Sequence, residues 1–180
     1  MTLLIKGRKK YHVGELLFSF CLLLFSYPLL AAEDANLLQQ LADRAAIQEV
    51  AYRYITALDT RDADLYVGVF TEDAEYDVEG QIYRGHDELR GIITGLQRSR
   101  EATIADGKPV VDLYHTNLNP VIELISANEA RYEAYWQTLR RAEDNSMRIG
   151  GMGRIKDTLV KANGEWKIKT RVLSNFIPRP

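Results

Sequence analysis

From Tyr114 to Ile177 the chain is a run of long strand-like segments with very little between them. Tyr114–Ser126, Glu129–Arg141, Met147–Lys161 and Glu165–Ile177 are each rich in β-branched, aromatic and aliphatic residues. Asn128 marks the first turn, the polar stretch RAEDNS at 141–146 the second, and Asn163-Gly164 the third. Asn-Gly between two apolar runs is a strong short-range hairpin signal, because both residues tolerate the positive φ of a type I′ turn. Such segments pair antiparallel with their chain neighbours. The resulting sheet has an apolar face that something else must cover.

The cover lies earlier in the chain. From Leu37 to about Thr60, Leu38, Leu41, Ala45, Ala46, Val50, Tyr54 and Leu58 recur mostly at three or four residues. That spacing predicts an amphipathic helix, with Asn36 as its N-cap. Asp62 is placed to cap a second, short helix running through Phe70 and broken by Thr71-Glu72-Asp73. AEYDVEGQIYRG at 74–85 alternates weakly about Gly80, as two short strands would. His86 to about Arg98 reads as a third helix with Leu89, Ile92, Ile93 and Leu96 inward, and 101–112 as a loop around Gly107-Lys108-Pro109. Helices first and strands afterwards is an α+β order. To bury both apolar faces, the antiparallel sheet must curl round the first helix, making a cone with a pocket.

Residues 1–32 read as an export leader. Lys6, Arg8, Lys9 and Lys10 form a basic n-region, Leu16–Leu30 an apolar run, and Ala31-Ala32 a small-residue end. Leu30 departs from the small residue that cleavage prefers, so an uncleaved N-terminal anchor is the alternative, and with it a membrane attachment. Either way the expectation is an exported, periplasmic or secreted protein. The one cysteine, Cys21, falls in the leader, which leaves the remainder without a disulfide, a thiol nucleophile or a thiolate metal site. Of 23 Lys and Arg, four fall in the leader, against one of 25 Asp and Glu. The rest is mildly acidic, which argues against a nucleic-acid partner.

Histidine is scarce: His12 in the leader, His86 at a helix start, and His115 opening the first long strand. RAAIQEV at 44–50, ALDTRD at 57–62, HTNLNPVIELISAN at 115–128, IGG at 149–151 and GEWKIKTRV at 164–172 together resemble the SnoaL-like domain of the nuclear transport factor 2-like superfamily. The resemblance covers roughly 37–177 and is to the branch containing hexachlorocyclohexane dehydrochlorinase, scytalone dehydratase and bile-acid 7α-dehydratase. It implies a cone-shaped α+β barrel, a homo-oligomer (trimer or dimer), a small-molecule substrate, and no metal or other cofactor. By the same resemblance the catalytic Asp falls on Asp59, the catalytic His on His115, an assisting Arg on Arg171 and an assisting Tyr on Tyr54. His115 and Asn119 bracket an HxxxN motif, and Asn119 is a candidate substrate-binding residue.

The chemistry follows from the residue types. A carboxylate beside an imidazole fixes its tautomer, so the free nitrogen can act as a base in the neutral range. His115 would remove a proton from carbon while a hydroxyl or halide departs from the neighbouring carbon, and Arg171 and Tyr54 would stabilise developing charge. This makes a cofactor-free lyase, of dehydratase or dehydrohalogenase type, the first expectation. An isomerase or cyclase on the same fold, or a non-catalytic ligand-binding protein, are the alternatives.

Each residue also has a plainer reading. Tyr54 sits on the apolar side of its helix and fits a core. Strict alternation groups Arg171 with Lys167, Lys169 and Leu173, which would put it on the solvent side. Trp136 shares a face with Tyr132 and Ala134, a face suited to substrate binding or to a subunit contact. Gly150-Gly151-Met152-Gly153 lacks the context of a phosphate loop and reads as a bulge or bend in a curved strand.

Overall fold

The computed structural model describes residues 13–142 and 144–176. Residues 1–12 of the expected leader, residue 143 of the second turn, and Ile177 of the last strand lie outside them. The chain divides into two compact units, Met1–Leu41 and Ala42–Pro180.

Helix α1 runs Val13–Thr60, α2 Ala63–Gly68 and α3 Gly85–Ala105. The strands are β1 Phe70–Val78, β2 Gln81–Arg84, β3 Leu113–Leu124, β4 Glu129–Arg141, β5 Met147–Ala162 and β6 Glu165–Asn175. Asn36, expected as an N-cap, is interior to α1, and its side chain accepts a bond from Gln40 at 2.7 Å. In the first unit Leu37, Leu38 and Leu41 are exposed. Among the described residues no helix is long and apolar enough to cross a membrane.

In the second unit the buried stripe of α1 is Asp43, Ile47, Val50, Ala51, Tyr54 and Ala57. The expected stripe is thus rotated: Ala45 and Ala46 face solvent, and Ile47 takes the place assigned to them. One carboxylate rides on this stripe. Asp43 accepts from the Trp166 indole at 2.9 Å and from Lys161 at 2.5 Å, which fastens α1 to the β5–β6 hairpin.

Asp62 caps α2 as expected, its Oδ1 accepting from the amides of Asp64 and Leu65. Phe70 and Thr71–Asp73 differ from expectation: they belong to β1, whose pairing with β6 shifts register between Phe70 and Glu75. The β1–β2 turn uses Glu79 and Gly80, both at positive φ. α3 continues to Ala105, taking the first part of the expected loop.

The sheet order is β2-β1-β6-β5-β4-β3, open at both ends. The long strands pair antiparallel in sequence order, as the turn signals require. The contact between β1 and β6 is parallel, so the sheet is mixed rather than purely antiparallel. After β2 the chain passes through α3 to the far edge and meanders back. β6 therefore arrives running the same way as β1. The sheet curls as an α+β cone, with the helices over its inner face.

Candidate active site

A cavity of about 640 Å³ lies between the inner face of the sheet and the helices. Tyr54, Ile55 and Leu58 enter it from α1, Tyr66 from α2 and Ile92 from α3. Tyr76, Val78, Gln81 and Tyr83 close one side; Leu113, His115, Asn117, Trp136 and Thr138 form the wall of β3 and β4. The volume is that of a site for a small ring system, and the lining is mostly apolar with a few polar groups.

Asp59, in the last turn of α1, meets His115 near the start of β3. Their separation in the chain is 56 residues, and their separation in space is a hydrogen bond of 2.6 Å between Nδ1 and Oδ1. The carboxylate also accepts the backbone N–H of His115, at 3.2 and 3.4 Å to its two oxygens. A carboxylate only accepts, so Nδ1 carries the proton, and Nε2 is the nitrogen left for a ligand. Both side chains are about a quarter exposed, at 27% for His115 and 23% for Asp59.

Tyr54 is buried, and its hydroxyl lies 3.3 Å from that of Tyr76. Tyr66, Phe70 and Tyr76 complete an aromatic cluster, with Tyr54 and Tyr66 ring centroids 5.3 Å apart. Burial pushes the Tyr66 and Tyr76 hydroxyls well above their ordinary range, Tyr54 adds to the rise, and Arg171 opposes it. These phenols remain protonated donors.

Arg171 is fully buried, at 1% exposure, and is not part of the cavity wall. It makes two bonds to Asp157, at 2.8 and 2.6 Å, and its guanidinium carbon lies 3.7 Å from the centre of the Tyr54 ring. Burial pushes the Asp157 carboxyl up, and the guanidinium pulls against it; two charge-assisted bonds keep the pair ionised. Burial likewise opposes the charge on Arg171, but Asp157 and the tyrosines hold the guanidinium well above its ordinary value.

The inward turn of Arg171 has a local cause. β5 residues Thr158 and Leu159 pair with Thr170 and Ile168, leaving Lys169 as an extra residue in β6. This bulge re-phases the strand. Trp166 and Ile168 point inward before it; Arg171 and Leu173 do so after it, and Val172 is exposed.

Asn119 is not brought to the cavity. It is exposed, at φ 51°, inside a bulge where β3 partners jump from Leu118 to Val121. Asn and Asp are the residues that tolerate that conformation best after Gly. Asn117 faces the cavity instead and donates to the Tyr132 hydroxyl at 3.2 Å. The period of two from His115 points to Asn117 in the sequence itself. Trp136 lines the cavity, its indole donating to the Ser174 carbonyl at 3.1 Å. The glycines make room for it: a Cβ on Gly151 would stand 3.2 Å from the indole ring, and one on Gly153 would collide with the Ser174 carbonyl. Gly150 is an extra residue in β5, opposite the shift between Thr138 and Leu139. His86 lies elsewhere, its Nε2 3.2 Å from the Phe70 carbonyl.

The fold and the residues within it define a family. The SnoaL-like domain profile matches residues 39–172, and the chain belongs to that family. Among solved structures, the chain is similar to a nuclear transport factor 2-like protein with a cystatin-like fold from Novosphingobium aromaticivorans. The identity is 21%, the TM-score 0.67, and 81% of this chain and 89% of that one are covered. It is also similar to a candidate scytalone dehydratase from the same organism, at 24% identity and TM-score 0.62, covering 77% and 87%. Hexachlorocyclohexane dehydrochlorinase LinA-type3 from Novosphingobium barchaimii matches at 22% identity and TM-score 0.63, covering 78% and 90%. No curated protein matches the sequence.

Proposed function

We propose that this protein is a cofactor-free lyase of the elimination type, acting on a small cyclic, largely apolar substrate. The observation that carries the reading is the 2.6 Å bond from His115 Nδ1 to Asp59, made by a histidine on a cavity wall. Nε2 takes a proton from a substrate carbon. The freed C–H electron pair becomes the new π bond, and the group on the neighbouring carbon leaves with its own bonding pair. Asp59 stabilises the imidazolium that forms. For a hydroxyl leaving group, the proton on Nε2 returns to it, and water is released.

The hydroxyls of Tyr54 and Tyr76 are the donors for a carbonyl or departing oxygen at the other side of the cavity. Arg171 acts through Tyr54: its charge behind the ring makes the phenol a stronger donor. The similarity to dehydratase and dehydrochlorinase structures supports elimination over isomerisation, and the basic n-region and apolar run of residues 1–32 support an exported enzyme.

The test is a screen of hydroxylated and halogenated cyclic compounds for alkene formation, with His115→Ala as the blank. Conversion by the native chain and none by the variant is the expected result. Equal conversion by both would refute the base assignment, and a product of unchanged formula would make the enzyme an isomerase.

A further inference from the structure

One charged feature of the inner sheet face is not used by the proposed chemistry. Directly paired residues of neighbouring antiparallel strands share a face. Asn117 pairs with Trp136, and His115 with Thr138; all four line the cavity. The next rung pairs Leu113, also on the wall, with Arg140, and Arg140 pairs in turn with Arg148 on β5. Arg140 therefore stands on the cavity face two residues along from Thr138, roughly 7 Å further toward the rim. Its stem packs at the wall: a Cβ on Gly150 would lie 3.7 Å from Arg140 Cδ and 3.6 Å from Leu113 Cδ2. The side chain is exposed beyond that point.

Two arginines directly opposite one another cost stability unless something neutralises them. Arg148 has an acid, Asp144, at 3.0 Å; Arg140 has no ion pair among the described residues. Among the described residues, the nearby carboxylates already have partners. Asp112, next to Leu113, serves two guanidiniums, Arg100 at 2.6 Å and Arg61 at 3.6 Å. Yet the chain as a whole carries a formal net charge of −2. At the end of the wall that carries His115, Arg140 is thus left without a carboxylate among the described residues.

We infer that the substrate is an organic acid: its ring body fills the apolar cavity, and its anionic group rests on Arg140 at the rim. The inference rests on the proposed reading of the cavity as a substrate site and adds the chemical class. A guanidinium presents a planar fork that matches a carboxylate or sulfonate. At an exposed rim the anion keeps part of its water, so the attraction comes without a large desolvation cost and weakens with salt.

Two dyes with the same apolar body test it without turnover: 8-anilinonaphthalene-1-sulfonate and neutral N-phenyl-1-naphthylamine. By fluorescence titration at low salt the native protein should bind the sulfonate about tenfold more tightly or better. Arg140→Gln should bring the ratio near one while leaving the affinity for the neutral dye unchanged. Asp144→Asn, which releases Arg148, should strengthen sulfonate binding severalfold. Equal binding of both dyes by the native protein overturns the inference, as does a preference that survives Arg140→Gln. Failure to bind either dye overturns it too, by removing the apolar seat. Displacement of the sulfonate by millimolar inorganic phosphate at fixed ionic strength would reassign the rim to free phosphate. None of these outcomes depends on the His115 base, which the elimination screen tests separately.

Discussion

Asp59 holds His115 at two points, ring and backbone, and the double contact gives the pair its use. The ring bond sets the tautomer; the amide bond ties the start of β3 to the end of α1, so imidazole and carboxylate cannot drift apart. Asp59→Asn keeps the size of the side chain but places an amide where a second acceptor is needed. The rate should fall by about a hundredfold or more, with a much smaller change in substrate affinity, as read from kcat and KM separately. His115→Ala should abolish turnover with little shift in Tm, because the side chain is part-exposed and touches the cavity rather than the core. Arg171 and Asp157 belong to a different category. Asp157→Ala leaves a guanidinium buried without a partner, and chemical denaturation should show a loss of about 3–5 kcal/mol. Replacing both with leucine should recover most of that stability but not the activity, which would separate support of the fold from support of Tyr54.

At the scale of elements, bulges decide which residues meet the ligand. Strict alternation along β6 groups Arg171 with the lysines, but the extra residue at Lys169 reverses the phase and sends the guanidinium beneath Tyr54. Deleting Lys169 removes the extra residue without changing the facing on either side of it, so Ile168 and Arg171 should both stay inward. A urea titration should show the Asp157–Arg171 pair retained, with a loss of about 1 kcal/mol or less. The bulge at Asn119 has the opposite consequence. It consumes the residue at a backbone kink and takes it out of reach of the cavity, while Asn117 inherits the inward direction. Helix α1 shows the same kind of re-phasing. Its buried stripe passes through Ile47 and Asp43 rather than through Ala45 and Ala46, because the stripe follows what the sheet can bury, and an Asp with Trp166 and Lys161 as partners is buried at little cost. Asp43→Ala should lower stability by about 1–3 kcal/mol and shift the Trp166 emission, since the indole loses its acceptor.

For the whole molecule, the hairpin turns and the helix-then-strand order were enough to establish an α+β sheet with a covered face. The family resemblance named Asp59, His115, Tyr54 and Arg171, and Asn119 and Trp136 were added as substrate contacts; of these, Arg171 and Asn119 do not line the cavity. The turns are local, so the pairing of β3 with β4, β4 with β5 and β5 with β6 is written in adjacent residues. The parallel contact of β1 with β6, the opposed Arg140 and Arg148, and the Asp157–Arg171 pair are written nowhere locally. They depend on register across strands, and a shift of one residue in a bulge changes every side chain beyond it. Alternating apolarity and turn chemistry along the chain thus determined which segments pair, and the resemblance of short motifs to a known family named Asp59 and His115, the two residues that the fold brings within a hydrogen bond. Only the folded sheet decided which charges lie inside, because inside and outside are properties of a register that no single segment contains.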